Sequence, residues 1–181
     1  ENGGERAFEQ QWVPVDEERG VVGRFEGDVR RGIRHRRIPD EVMEAVSRAV
    51  ERGERAFWIC PAVDSEDAGD ASAVARRDVL ANYVRAKVEL VHGRMPAEDR
   101  DAALESFRAG DAPVLVATTV IEVGVDVPEA TIMVIEHAEK FGLAQLHQLR
   151  GRVGRGEKAS SCVLLFQPPL TEGGKERLDI L

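Results

Sequence analysis

The sequence predicts an α/β domain: a mostly parallel β-sheet with helices on both faces. Two observations predict it. From Pro39 onward, short apolar runs alternate with stretches of helical periodicity. The apolar runs also lack polar alternation, as strands do when both faces are buried under helices.

The elements come in this order. Pro39-Asp40-Glu41 opens a helix with acidic residues in its first turn, and Val42, Val46 and Val50 recur at i, i+4 and i+8. Gly53 ends it. Ala56-Phe57-Trp58-Ile59-Cys60, stopped by Pro61, is a buried strand. Asp64 to Asp70 is acidic and contains glycine, and reads as a loop. Ser72 is then a cap for a helix carrying Val74, Leu80, Tyr83 and Val84.

Val88 to His92 is the next strand, ended by Gly93. Pro96 suits the first position of a helix that buries Ala103, Leu104 and Phe107 and stops at Gly110. Val114–Ala117, Thr131–Ile135 and Cys162–Phe166 complete the strands. Residues 1–38 read differently, as an unassigned arm or linker. They hold two strand-like runs, at Trp12–Val15 and Val21–Phe25, and a basic cluster from Arg30 to Arg37. That cluster is either a contact for DNA phosphates or a solvated arm.

With 25 Lys and Arg against 33 Asp and Glu, the chain carries a net charge of −8. A domain that binds nucleic acid alone usually carries a net basic field, so any such contact must come from a local patch or a neighbouring domain. The 43% apolar and 32% charged content fits a globular protein and excludes a disulfide scaffold or wholesale disorder. No apolar run approaches the ~20 residues of a membrane span, so no membrane partner is expected. No signal peptide is visible at Glu1-Asn2-Gly3-Gly4. Cys60 and Cys162 lack metal-ligand spacing and read as buried thiols of a cytoplasmic protein; no metal site is expected.

In an open parallel sheet, ligands bind at the carboxyl ends of the strands. Three segments carry unusual chemistry. In His92-Gly93-Arg94-Met95, glycine lets backbone approach a ligand closely and Arg94 can meet a phosphate; a plain turn explains it equally well. In Thr118-Thr119 to Gly124-Val125-Asp126, two hydroxyls follow a strand and suit sugar-phosphate oxygens, while Asp126 can accept from a ribose hydroxyl. The alternative there is a helix cap and a turn.

The third segment runs from Gln148 to Gly156. Placed on a helix, Gln148, Arg152 and Arg155 share one face at i, i+4 and i+7, and Leu146, Leu149 and Val153 share the opposite one. Two guanidiniums on one face make an anion site. A solvated basic face is the alternative, but it would not need glycines that each cost a helix roughly 1 kcal/mol. No Gly-x-x-x-x-Gly-Lys-Ser/Thr loop is present; Gly173-Gly174-Lys175 lacks both the spacing and the hydroxyl.

At these residues the sequence resembles a known family. Gln148-x-x-Gly151-Arg152-x-Gly154-Arg155 is similar to motif VI of superfamily 2 helicases. The run from Ala117 to Pro128 is similar to their motif V. Phe141 to Arg155 narrows the resemblance to RecG helicases and transcription-repair coupling factors, and Leu90–Met95 with Val123–Pro128 favours the RecG type. The resemblance covers about Ile38 to Leu181.

The resemblance implies the second, RecA-like motor domain of an ATP-dependent DNA helicase that remodels branched DNA at replication forks and Holliday junctions. ATP with Mg²⁺ would sit between this domain, residues 39–167, and a first RecA-like domain that supplies the phosphate loop. Arg152 and Arg155 would be arginine fingers and Gln148 a sensor of the γ-phosphate. Gly124 and Asp126 would line the nucleotide. Thr118, Thr119 and the His92-Gly93-Arg94 turn would meet branched or duplex DNA. Residues 168–181 would begin a helical hairpin that is cut short, so the chain reads as a fragment, inactive alone and without tight ATP binding. A coupling factor motor, or a stand-alone module binding a phosphorylated ligand or a protein, are the alternatives.

Overall fold

The computed structural model describes residues 21–23, 38, 40–61, 66–118, 127, 130–153, 160–167 and 169–179. Six strands form one sheet: β1 (Val21–Gly23), β2 (Arg55–Cys60), β3 (Val88–Val91), β4 (Val114–Thr118), β5 (Ala130–Ile135) and β6 (Ser161–Leu165). Their spatial order is β1-β6-β5-β2-β4-β3. The pairs from β6 across to β3 are parallel, and β1 alone is antiparallel, along β6. The strand-like run at Val21 therefore places part of the 1–38 segment on the sheet edge. The run at Trp12 and the basic cluster lie outside the described residues.

Among the described residues, five helices cover the sheet: α1 (Asp40–Glu51), α2 (Glu66–Val84), α3 (Ala97–Ala109), α4 (Leu143–Arg150) and α5 (Glu172–Asp179). Alternate strand residues point to opposite faces, which splits the core in two. Trp58, Val116 and Val134 pack against α1 and α2, through Val42, Val46, Leu80 and others. Phe57, Leu115, Met133 and Leu164 pack on the other side, with Phe107 of α3, Leu146 of α4 and Leu178 of α5. The rings of Phe57 and Phe107 lie 4.8 Å apart at 57°, a tilted aromatic pair.

Two helix ends are set by glycine. Gly110 follows α3 at φ +90°, and its N–H donates to the Phe107 carbonyl. Gly53 stands past α1 at φ +75°, donating to the Val50 carbonyl. Both conformations disfavour any residue with a Cβ. At the amino edge of the sheet, buried Glu54 accepts from Thr131 Oγ1 at 2.5 Å and from Arg52 Nε at 2.7 Å. A buried carboxylate requires such partners.

The structure corrects two boundaries. Residues 66–70 are the first turns of α2, not a loop, and Ser72 lies inside the helix rather than capping it. Acidic composition suits a helix N-terminus as well as it suits a loop, so the loop reading was not forced. Pro96 is the cap residue of α3, one place before its first turn.

Candidate functional site

The carboxyl ends of β2 and β5 lie side by side, with Ile59 opposite Ile135. The connections that leave them diverge. From β2, α2 crosses the α1 face toward β3. From β5, α4 lies on the opposite face, and the chain leads toward β6. Such a divergence is the topological switch point of an open α/β sheet, the ordinary position of a ligand crevice in such folds.

A charged cluster stands at the end of β5, on the α2 side of the sheet. Glu136, the residue after β5, accepts from Arg76 of α2 through Nε at 2.5 Å and Nη2 at 3.0 Å. The Trp58 indole N–H donates to the same carboxylate at 2.5 Å. The Cys60 thiol lies 3.8 Å from it. The Arg76 guanidinium also stands 5.8 Å from the Trp58 ring centroid, within cation–π reach. Burial foremost, and then the Glu136 charge, push the Cys60 thiol above its ordinary value against the pull of Arg76, so it stays protonated. The backbone N–H of Glu136 donates to the Ile59 carbonyl at 2.8 Å, extending the β5–β2 pairing by one bond.

Beyond Glu136 the chain turns at His137, whose φ of +51° is left-handed. A short 3-10 helix (Ala138–Lys140) and buried Phe141 lead to α4. Gln145 accepts from the Gly142 N–H at 3.0 Å, a side-chain cap on the start of α4. Glu139 accepts from the Gln167 N–H at 3.3 Å and pairs with His137 Nδ1 at 3.0 Å. Burial raises the Glu139 carboxyl, but these contacts outweigh it and hold the group below its ordinary value. Arg177 of α5 donates to the Glu139 carbonyl at 3.3 Å, tying α5 to this lead. Burial pushes the Cys162 thiol up to about 12, with the Arg150 charge pulling the other way.

Of the residues singled out by sequence, Gln148 is exposed on α4. Arg152 does not lie on the helix. α4 ends at Arg150, and Gly151 and Arg152 continue in a turn whose N–H groups bond the His147 and Leu149 carbonyls. Gly151, one of the glycines that made a long helix costly, is its C-cap. The apolar side of the pattern holds, since Leu146 is buried and Leu149 and Val153 pack against the same core. His92, half-buried, and exposed Gly93 and Arg94 form the turn after β3. Thr118 is buried at the end of β4, opposite Cys60. Thr119, Gly124, Asp126 and Arg155 lie outside the described residues. Gly173-Gly174-Lys175 is a capped helix start, with the Gly174 N–H donating to Thr171 Oγ1 at 3.1 Å.

Sequence reasoning missed Arg76 and Glu136. Their partnership spans 60 residues, and no local pattern announces such a pair. The weak signal was an acid standing at the end of an apolar run.

As for a nucleotide with its magnesium ion, the chemistry is one-sided. Arginines are the right residues for phosphate oxygens. Among the described residues, however, no three His, Cys, Asp or Glu side chains converge to hold a metal. The described residues also contain no helix long and apolar enough to cross a membrane.

Known proteins resemble this chain in sequence and fold. The chain is 45% identical over 143 residues to the ATP-dependent DNA helicase RecG of Acidithiobacillus ferridurans, covering 78% of this chain and 21% of the relative. It is 44% identical over 145 residues to RecG of Bacillus subtilis, covering 78% and 21%. It therefore spans about a fifth of the length of these curated relatives. A solved structure of RecG bound to a three-way DNA junction matches with 45% identity and a TM-score of 0.65, over 78% of this chain and 18% of that one. Domain 2 of the DEAD-box helicase Mss116p, bound to an RNA duplex, shares the fold at 19% identity and a TM-score of 0.58, over 71% of this chain and 49% of that one. The model of the helicase conserved C-terminal domain matches residues 39–157, and the chain belongs to that family.

Proposed function

We propose that this chain serves as the second motor domain of a RecG-like, ATP-dependent DNA helicase acting on branched DNA. The observation that carries the reading is the 45% identity to RecG over 143 residues, supported by the match to the structure solved on a three-way junction. On this reading residues 39–167 are the motor domain and 168–181 begin a helical hairpin. Residues 1–38 lead in as an arm whose Val21–Gly23 stretch edges the sheet. The location is the cytoplasm.

ATP with Mg²⁺ would be held jointly with a first RecA-like domain. It supplies the terminal phosphoryl group that water attacks in line. This chain's part is electrostatic: Arg152 and Arg155 meet charge developing on the γ-phosphate, and Gln148 reads its presence. Gly124 and Asp126 line the nucleotide. Thr119, His92, Gly93 and Arg94 face the DNA backbone, where contacts fix position rather than sequence, and Thr118, buried at the end of β4, leads into Thr119.

Because cations without a phosphate loop bind nucleotide weakly, titration calorimetry of ATP and Mg²⁺ into this chain should show no saturation below millimolar concentrations. Saturable stoichiometric binding at micromolar ATP would instead identify a stand-alone ligand module.

A further inference from the structure

We infer that the Arg76–Glu136 pair is a positioning device, which locks the lead into α4 and so fixes where Gln148 and Arg152 are presented. The role in catalysis rests on the proposed helicase function; the lock itself does not.

The crevice at the β2–β5 switch point is the ordinary place for a ligand in a sheet of this topology. Here the end of β5 carries an acid already paired within the protein. The carboxylate of Glu136 takes the bidentate guanidinium that a ligand phosphate would otherwise attract. Trp58 donates to it from within the sheet. Three elements thus converge on one side chain: β2 through Trp58, α2 through Arg76, and β5 through the residue's own backbone.

The segment after Glu136 transmits that fixation. Six residues separate it from the start of α4. Ala138 and Phe141 among them are buried in the core. A lead this short and packed has little freedom to absorb a shift at its origin. Arg76 is the part of the lock that can be altered most safely, because its side chain keeps 25% of its surface in solvent. A misplacement of about 1 Å can cost on the order of 10²-fold in rate. Loss of the lock therefore reaches the chemistry without touching a group that meets nucleotide.

The test has two arms. In the first, amide hydrogen exchange is followed on this chain as Arg76→Ala, Arg76→Lys and Glu136→Gln. Faster exchange in residues 138–150 is expected for Arg76→Ala, less for Arg76→Lys, with β4 amides unchanged. Unchanged exchange in 138–150, or uniform acceleration throughout, overturns the proposal and leaves the helicase reading intact. In the second arm, the same substitutions are made in RecG of Bacillus subtilis carrying residues 39–167 of this chain in place of its matching segment. DNA-stimulated ATP hydrolysis should show kcat lowered about 10-fold or more by Arg76→Ala, with KM for ATP nearly unchanged and partial rescue by Arg76→Lys. A lowered melting temperature with unchanged kcat makes the pair merely structural and overturns the positioning role. If the unsubstituted hybrid melts cooperatively and is itself silent, the helicase reading fails and the catalytic role falls with it, while the exchange arm still decides whether the lock exists.

Discussion

Gly53 and Gly110 show how a single residue's surroundings decide the size of an effect. Both have positive φ, so a Cβ at either is strained whatever the space around it. At Gly53 that Cβ would meet nothing within 4 Å, whereas at Gly110 it would stand 3.0 Å from Arg55 Nη2. Gly53→Ala should cost about 1 kcal/mol, the left-handed penalty alone. Gly110→Ala should cost more, because the Arg55 side chain must also move. Urea unfolding of the two variants checks the ranking. Glu139 gives a pH signature. Its carboxyl titrates below the ordinary value when folded, so its contribution is present at neutral pH. It disappears as the pH falls through the folded value, since the unfolded chain then binds the proton more readily. The urea midpoint should drop in that acid window for the parent chain and drop less for Glu139→Gln.

At the scale of elements, the central strands were legible because β2, β4 and β5 are buried on both faces almost throughout, so apolar residues run nearly unbroken along them. β2 and β5 needed no more than their apolar runs. α1 was legible because Val42 and Val46 repeat at helical spacing and are buried. The failures occurred where one composition supports two structures. The acidic run before Ser72 begins α2, and Gly151 caps the end of α4. The crevice pair was invisible for a different reason: Arg76 and Glu136 meet only once the sheet has brought β2 and β5 together. Among single contacts, the packing of α3 on β2 is the one to test. Phe107 is fully buried against Phe57. Phe107→Ala should cost about 3–5 kcal/mol in denaturant unfolding, the transfer of a ring plus a cavity. A cost under about 1 kcal/mol would mean that the core closes over the gap.

On the scale of the whole molecule, a doubly covered, mostly parallel sheet presents one edge of strand ends, pairs the acid at its switch point internally, and carries arginines without a phosphate loop. Such a body is suited to complete a site rather than to hold one. On the proposed function, the site it completes is that of a two-domain motor. The most direct test is forked-DNA-stimulated ATP hydrolysis by RecG of Bacillus subtilis carrying residues 39–167 of this chain, with and without Arg152→Ala and Arg155→Ala. The account predicts stimulated turnover in the hybrid, silence from this chain alone, and a loss on the order of 10³-fold or more on removing either arginine. A hybrid that melts cooperatively yet shows no DNA-stimulated turnover, or one that keeps full activity without Arg152 and Arg155, would contradict it.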